Sequence, residues 1–315
     1  MRVAGLALLL MLAACSEPST QNQALTSPPA SPTPPAPSCS LPVAWDHGST
    51  SHRAFVTYPG GHIAEIGATN GDVYDAQYQR WVQGPQELIS PDGSRYAYFS
   101  FSSTTPGNGQ VHVVDVVSGV DRVIYEGATI YWPVAFAGDG IFVTHAINLK
   151  QSAFEGLFRL DLAGATPARV RGDLGKQASW TLVSGGSAWG VAYTADNQQV
   201  QYTLEQLNLT TGTTTDWLHE PQNLLLSPVG RDARGRLYVS DNYELWRLDA
   251  PNVEERLLQP PLVSGRVSLN VFVLDAHGEW MGSWGGLWHY SDAGGAQRIS
   301  VATDQDMVTP AGPCL

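Results

Sequence analysis

The chain has 315 residues, a formal charge of −12, 15% charged residues, 32 Gly, 21 Pro, 10 Trp and 3 Cys. The acid excess excludes nucleic acid as a partner, and also docking on anionic lipid through a basic face, because both need clustered Lys and Arg. So few charges beside so many Gly, Pro and aromatic residues exclude a helical bundle, and the size excludes a disulfide-stapled miniature fold; a Gly-rich β domain is left.

Arg2 precedes an apolar run, Val3 to Ala14, which ends in Leu12-Ala13-Ala14-Cys15. About 12 residues are too few to cross a ~30 Å hydrocarbon core as a helix. The pattern is that of a signal peptide with a small-residue cleavage site. Its end resembles the lipobox of bacterial lipoproteins. The resemblance implies cleavage before Cys15, lipidation of Cys15, and an exported chain anchored to a bacterial membrane. By the same analogy, Ser16 implies outer-membrane sorting in a cell with two membranes. Residues 16–38 follow, with seven Pro and one large apolar side chain, Leu25. Such a segment cannot offset its ordering entropy by burial. It reads as a disordered tether reaching up to roughly 70 Å, at about 3.1 Å per residue.

Residues 39–315 form the folded domain, opened by Cys39 and closed by Cys314. With Cys15 assigned to lipid, these two remain to pair in an oxidising compartment. A bridge requires the domain's ends to meet; two free thiols are the alternative.

The body repeats. Apolar strands joined by tight turns place glycines at 61, 93, 140, 186, 235 and 278. A Gly in such a hairpin turn supplies the positive φ that the turn demands. A second hairpin follows each, turning at Asp75, Asp115, Asp161, Asn208, Asp249 and Ser291, which lie 40–47 residues apart. Side-chain polarity alternates with period 2, and no segment gives a helical period beyond two turns. Six four-stranded units of this length predict an all-β fold, a single six-bladed β-propeller. Seven blades are the alternative if Leu41–Asp46 and Asp306–Thr309 pair as an extra sheet; a double-sheet sandwich is a third option. The first unit takes Ala54–Ile66 with Val73–Asp75 and Gln79–Val82. Ile89-Ser90-Pro91-Asp92-Gly93-Ser94-Arg95-Tyr96-Ala97-Tyr98-Phe99 resembles the repeat of TolB and WD40-like propellers, and Leu226-Ser227-Pro228 echoes it. That resemblance implies the fold and carries no activity.

Catalytic signatures are missing. Gly185-Gly186-Ser187-Ala188-Trp189 and Met281-Gly282-Ser283-Trp284-Gly285 each lack one glycine of the hydrolase elbow. There is no P-loop, no H-E-x-x-H and no EF-hand loop. Trp246, Trp280 and Trp288 follow strand alternation and are expected to wedge between blades. The loops after second and fourth strands gather aromatic and amide groups, so Tyr131, Trp132, Trp180, Asn197, Asn242 and Trp284 are the candidate binding residues. The expected function is a membrane-anchored, monomeric, non-catalytic binding or scaffold module for a protein or envelope ligand, without a cofactor. A structural or sensor module is a related reading. The contrasting alternative, by fold analogy, is a metal-dependent lactonase- or lyase-like enzyme using Ca²⁺ at the channel through Glu87, Asn223, Asp241 and Asn270.

Overall fold

Asp92 shows how the repeat builds its turns. Its Oδ1 accepts hydrogen bonds from Ser90 Oγ (2.6 Å), Ser94 Oγ (2.8 Å) and Ser94 N (3.1 Å), while the Arg95 amide donates to Ser90 Oγ at 2.9 Å. Those contacts pull the Asp92 carboxyl down to about 2. Gly93 between them sits at φ +66°. The Ser-Pro-Asp-Gly string is thus a self-satisfied turn feeding straight into a strand.

The computed structural model describes residues 38–47, 50–67, 71–148, 153–164, 166–170, 178–196, 199–220, 227–241, 243–260, 269–299, 303 and 306–315. The chain divides into two units, Met1–Ala36 and Pro37–Leu315, and all of the described residues belong to the second. The signal peptide, Cys15 and nearly all of the tether therefore lie outside the described residues.

Strands come in chain-order groups. β1 (Cys39–His47), β2 (Thr50–Tyr58) and β3 (Ile63–Gly67) form a meander, followed by a hairpin of β4 (Val73–Asp75) and β5 (Arg80–Val82). One turn of 3₁₀ helix, Gln86–Leu88, leads into β6 (Arg95–Phe101), β7 (Gly109–Asp115) and β8 (Asp121–Gly127). Ile89 adds a single bridge to Tyr96 at the inner edge of that sheet. Two four-stranded sheets follow. The first is β9 (Tyr131–Ala137), β10 (Gly140–Asn148), β11 (Ala153–Asp161) and β12 (Ala168–Arg169). The second is β13 (Ala178–Ser184), β14 (Ser187–Asp196), β15 (Gln199–Asn208) and β16 (Thr214–Glu220). A third comprises β17 (Ser227–Arg231), β18 (Leu237–Ser240), β19 (Leu245–Ala250) and β20 (Val253–Leu258). The last run is β21 (Asn270–Asp275), β22 (Gly278–Trp284), β23 (Gly286–Ser291), β24 (Gly295–Ile299) and the terminal β25 (Met307–Pro310). All strand pairs are antiparallel, as expected for an all-β propeller built from hairpins.

β25 closes the ring. It pairs with β1 from Val43↔Pro310 to Asp46↔Met307, and with the end of β22 at Ser283↔Val308. The last and first strands thereby share one eight-stranded sheet. Cys39 and Cys314 are disulfide-bonded beside this seam, with Cα atoms 5.5 Å apart. Asp275 adds a polar tie: its Oδ2 accepts from the Cys314 amide at 2.7 Å and from the Trp280 indole at 2.9 Å.

The first repeat unit needs correcting. Val73–Asp75 and Arg80–Val82 do not extend the Ala54–Gly67 hairpin but pair only with each other. A third strand after β3 would pair with β3, but β3 stays at the edge, and the sheet grows instead on the other side of β2, where β1 is matched over nine residues from Cys39↔Tyr58 to His47↔Thr50. The alternation of β1 buries Leu41 and Val43, which are at most 1% exposed, in the same core as Val56 and Trp280, whereas β3 is exposed along most of its length and offers no covered place for the fully buried β4. The β4–β5 hairpin is left between neighbouring sheets. Tyr74 packs edge-on to Phe55 at 5.1 Å, and Val73 and Val82 pack with Val116. The pairing of Leu41–Asp46 with the C-terminal strand that the seven-bladed alternative required is present, within the sheet of β2 and β3.

Cores sit between sheets, so inner strands are covered on both faces and read as continuous apolar runs. On β22, Trp280 points into one core with Leu41 and Tyr58, while Met281 points into another with Tyr238 and Leu245. Trp189 and Trp280 are fully buried, and Trp246 and Trp288 are half-buried against cores, which is the wedge role expected of them. Truncating such a buried ring to Ala costs about 3–5 kcal/mol. Asp292 accepts from Arg234 (2.8 Å), Arg236 (2.8 Å) and Arg247 (3.1 Å), linking the β23–β24 turn to the β17–β18 turn and to β19.

Candidate binding site at the channel mouth

Four inner strands carry the same irregularity. In β9 the pairing steps from Ala135↔Phe142 to Pro133↔Val143 and leaves out Val134. In β13 it leaves out Thr181, in β17 Val229, and in β21 Val271. A residue left out of the ladder is a β-bulge, which bends the strand and re-aims a side chain. The bulge in β13 presses on its partner strand. A Cβ at Gly190 would lie 2.6 Å from Ser179 O and 2.9 Å from Trp180 Cα, so only glycine fits there. Val271 sits at φ +48° and is 49% exposed. A β-branched residue in the left-handed region costs of order 1–3 kcal/mol, and such outliers gather at functional sites.

Thr181, Val229 and Val271 wall one side of a cavity of about 580 Å³. Leu182, Pro228, Phe272 and Val273 continue that wall, and Thr309, Pro310 and Ala311 from the closing strand complete it. The facing side is polar and comes from β1, β2, the approach to β4 and the 3₁₀ turn: Asp46, Arg53, Asp72 and Glu87. Arg53 is buried and fully engaged. Its Nε donates to Gly71 O at 2.6 Å, and its two terminal nitrogens donate to Ser51 Oγ at 2.7 Å and Asp72 Oδ1 at 2.9 Å. It also lies 5.7 Å over the Trp81 ring. Glu87 opens onto the cavity, yet protein surrounds it closely enough that desolvation pushes its carboxyl above the ordinary range. Arg53 and Asp72 offset each other, so Asp46 and Glu87 set the sign of the site.

The residues singled out in the sequence scatter. Trp132 is 41% exposed and stacks on Phe99 at 4.7 Å. Tyr131 is half-buried among Tyr125, Phe158 and His145. Trp180 is 3% exposed, a core residue packed with Ala178 and Leu207. Trp284 is half-buried at the end of β22, opposite Met307. Asn197 and Asn242 lie outside the described residues. Of the proposed metal quartet, Glu87 lines the cavity. Asp241 is occupied in a turn, accepting from the Tyr243 and Glu244 amides at 2.8 Å each. Asn223 and the Asn270 side chain lie outside the described residues. Among the described residues, no group of three His, Cys, Asp or Glu is placed to hold a metal ion. Nor is any helix among them long and apolar enough to cross a membrane.

The residues that sequence reasoning missed are Asp46, Arg53, Asp72 and the bulges. The acids and Arg53 had no motif to mark them. The bulges hide inside apolar runs in which a one-residue slip changes no pattern.

No family model matches the chain, and no curated protein matches it. Solved structures share its fold. TolB from Acinetobacter baumannii superposes with a TM-score of 0.50 at 12% identity, over 87% of this chain and 67% of that one. Oligogalacturonate lyase from Vibrio parahaemolyticus gives 0.54 at 11% identity, over 85% and 86%. An oligogalacturonate lyase in complex with manganese gives 0.49 at 14% identity, over 84% and 74%. Identities this low speak to the β-propeller fold alone.

Proposed function

We propose that this chain is a non-catalytic binding module, exported, lipid-anchored through Cys15 and held off the membrane by residues 16–38. Its channel mouth receives part of a protein or envelope ligand. The observation that carries this reading is the preformed cavity of about 580 Å³ walled by bulged inner strands. Most of its wall comes from paired strands, and the part from β1, β2, β21 and β25 belongs to the one sheet that β25 completes, so little ordering is required on binding, which favours affinity. In-cell photo-crosslinking from position 181 or 271 is expected to capture a partner, and the cavity-filling variant Thr181→Trp to abolish capture. Capture that is unaffected by Thr181→Trp would overturn the reading. Anchoring has its own test: Cys15→Ser is expected to lose labelled-palmitate incorporation and release the protein from membranes.

A metal-dependent enzyme, lyase-like, is the second reading. Glu87 favours it, because a carboxyl that holds its proton more tightly than usual at a cavity suits a general acid. Stoichiometric Ca²⁺ or Mn²⁺ by elemental analysis, with unsaturated product formed from oligogalacturonate, would establish it. No bound metal and no product would remove it.

A further inference from the structure

Three features meet at the channel mouth. The first is the wall. Thr181, Val229 and Val271 drop out of their ladders, and they line the cavity together with Phe272 and with Pro310 of the closing strand. A wall of this kind suits apolar side chains and offers peptide groups that the sheets do not fully use. The second is charge. Arg53 is spent on Gly71, Ser51 and Asp72, while neither Asp46 nor Glu87 forms an ion pair with a described residue. The third is Glu87 itself. Its side chain is exposed at the cavity, and the protein around it, which supplies no cation, pushes its carboxyl above the ordinary range.

Taking the channel mouth as the binding site of this module, we propose that the cavity docks a basic peptide segment of a partner protein. A Lys or Arg head lies against Asp46 and Glu87, and its apolar neighbours lie on the arc of Thr181, Val229 and Val271. Charge complementarity selects this occupant. A net-acidic mouth on a chain of −12 repels acidic peptides. The apolar wall gives nothing to a hydrated metal ion, and the cavity of about 580 Å³ is far larger than an ion requires. Seating the cation re-ionises Glu87 and releases a proton. Affinity therefore rises with pH above the ordinary Glu value of 4.5 and levels off once Glu87 is ionised in the free protein.

The test is selection from a random dodecapeptide phage library on the full mature chain. It is run in parallel on the Asp46→Asn/Glu87→Gln double variant and on a control, Glu65→Gln, at an exposed position of β3. Wild type and control are expected to enrich basic peptides. A synthetic copy of the top peptide is expected to lose at least tenfold in affinity for the double variant and none for the control. Enrichment without basic bias, or equal affinity for the double variant, overturns the proposal. If Thr181→Trp blocks peptides that carry no basic bias, the channel remains a binding site and only the ligand class falls. If Thr181→Trp blocks neither peptide binding nor partner capture, the underlying reading falls as well. Two other outcomes also overturn it. One is a dimer by light scattering that the double variant dissolves, which makes the occupant a second copy. The other is a Ca²⁺-dependent rise in melting temperature that the double variant loses, with no peptide enriched, which makes the acids an ion site.

Discussion

Glu279 offers a direct test of the packing between the last two sheets. It lies on β22 with no exposed surface, and neither carboxyl oxygen has a hydrogen-bond partner. Burial, and then the nearby Asp275 charge, raise its carboxyl well above 4.5. The folded state thus holds this proton more tightly than the unfolded chain does. The contribution is fully present below the unfolded value near 4.5 and is lost as pH rises toward the folded value, by up to about 1.4 kcal/mol per unit. Glu279→Met removes both the orphaned polar group and the titration while keeping a similar side-chain length. An unsatisfied buried polar group costs about 1–3 kcal/mol, so the variant is expected to gain that amount, roughly 2–6 °C in melting temperature. Glu279→Gln keeps a polar group but loses the proton. Urea unfolding midpoints measured between about pH 4 and pH 8 check both expectations. The advantage of Glu279→Met over wild type is expected to widen with pH. Wild-type and Glu279→Gln profiles that run parallel, or a Glu279→Met chain less stable than wild type, would refute the reasoning, because either result means that the carboxylate has a partner.

Three further expectations concern the ring's closure and the contacts between sheets. Replacing both Cys39 and Cys314 with Ser opens a loop that spans a sequence separation of 275, for which chain entropy predicts about 5.6 kcal/mol. Because β25 still pairs with β1, a loss of about 3–5 kcal/mol is expected by urea titration, and a loss under about 1 kcal/mol would count against the seam's role. Asp275→Ala strips the acceptor from both the Cys314 amide and the Trp280 indole; a cost of about 2–4 kcal/mol is expected in the same assay, with Asp275→Asn recovering part of it. Asp292→Asn weakens three arginine contacts at a partly exposed site, so only about 1 kcal/mol is expected. Its carboxyl is held below 3.8, chiefly by Arg236, so that stabilisation is present above the ordinary value and fades as pH falls through the depressed one. An acid titration in which variant and wild type separate above that range and converge below it checks the sign.

Local chemistry explains why the hairpins are readable in the sequence. Gly61, Gly93, Gly186, Gly235 and Gly278 all take positive φ at the turns where the repeat places them. In the remaining turn the left-handed residue is Gly138, while Gly140 is the first residue of β10, paired with Asp161. Non-local choices are not readable. Nothing local says that the first sheet grows from β2 toward β1 rather than from β3 toward β4, because the core that holds β1 is assembled with Trp280, more than two hundred residues away. Trp180 stands beside a loop in the sequence, but the bulge at Thr181 sets the register of β13, and Trp180 packs in the core with Ala178 and Leu207. Glu87, a candidate metal ligand by fold analogy, does line the cavity. Its companions there, Asp46, Arg53 and Asp72, come from strands and turns that only ring closure brings together.

That closure also sets a schedule. The strand that covers Val43 through Asp46 of β1 comes last in chain order among the described strands, and it is separated from β1 by nearly the whole domain. Until Met307–Pro310 arrives, β1 keeps one unpaired edge, and the core around Leu41 lacks Val308 and Cys314. Long-range pairing of this kind is slow, and an exposed edge invites pairing between chains. A chain without Met307–Pro310 would contain every hairpin of the repeat and still have no way to finish, so completion of the fold waits on one short strand.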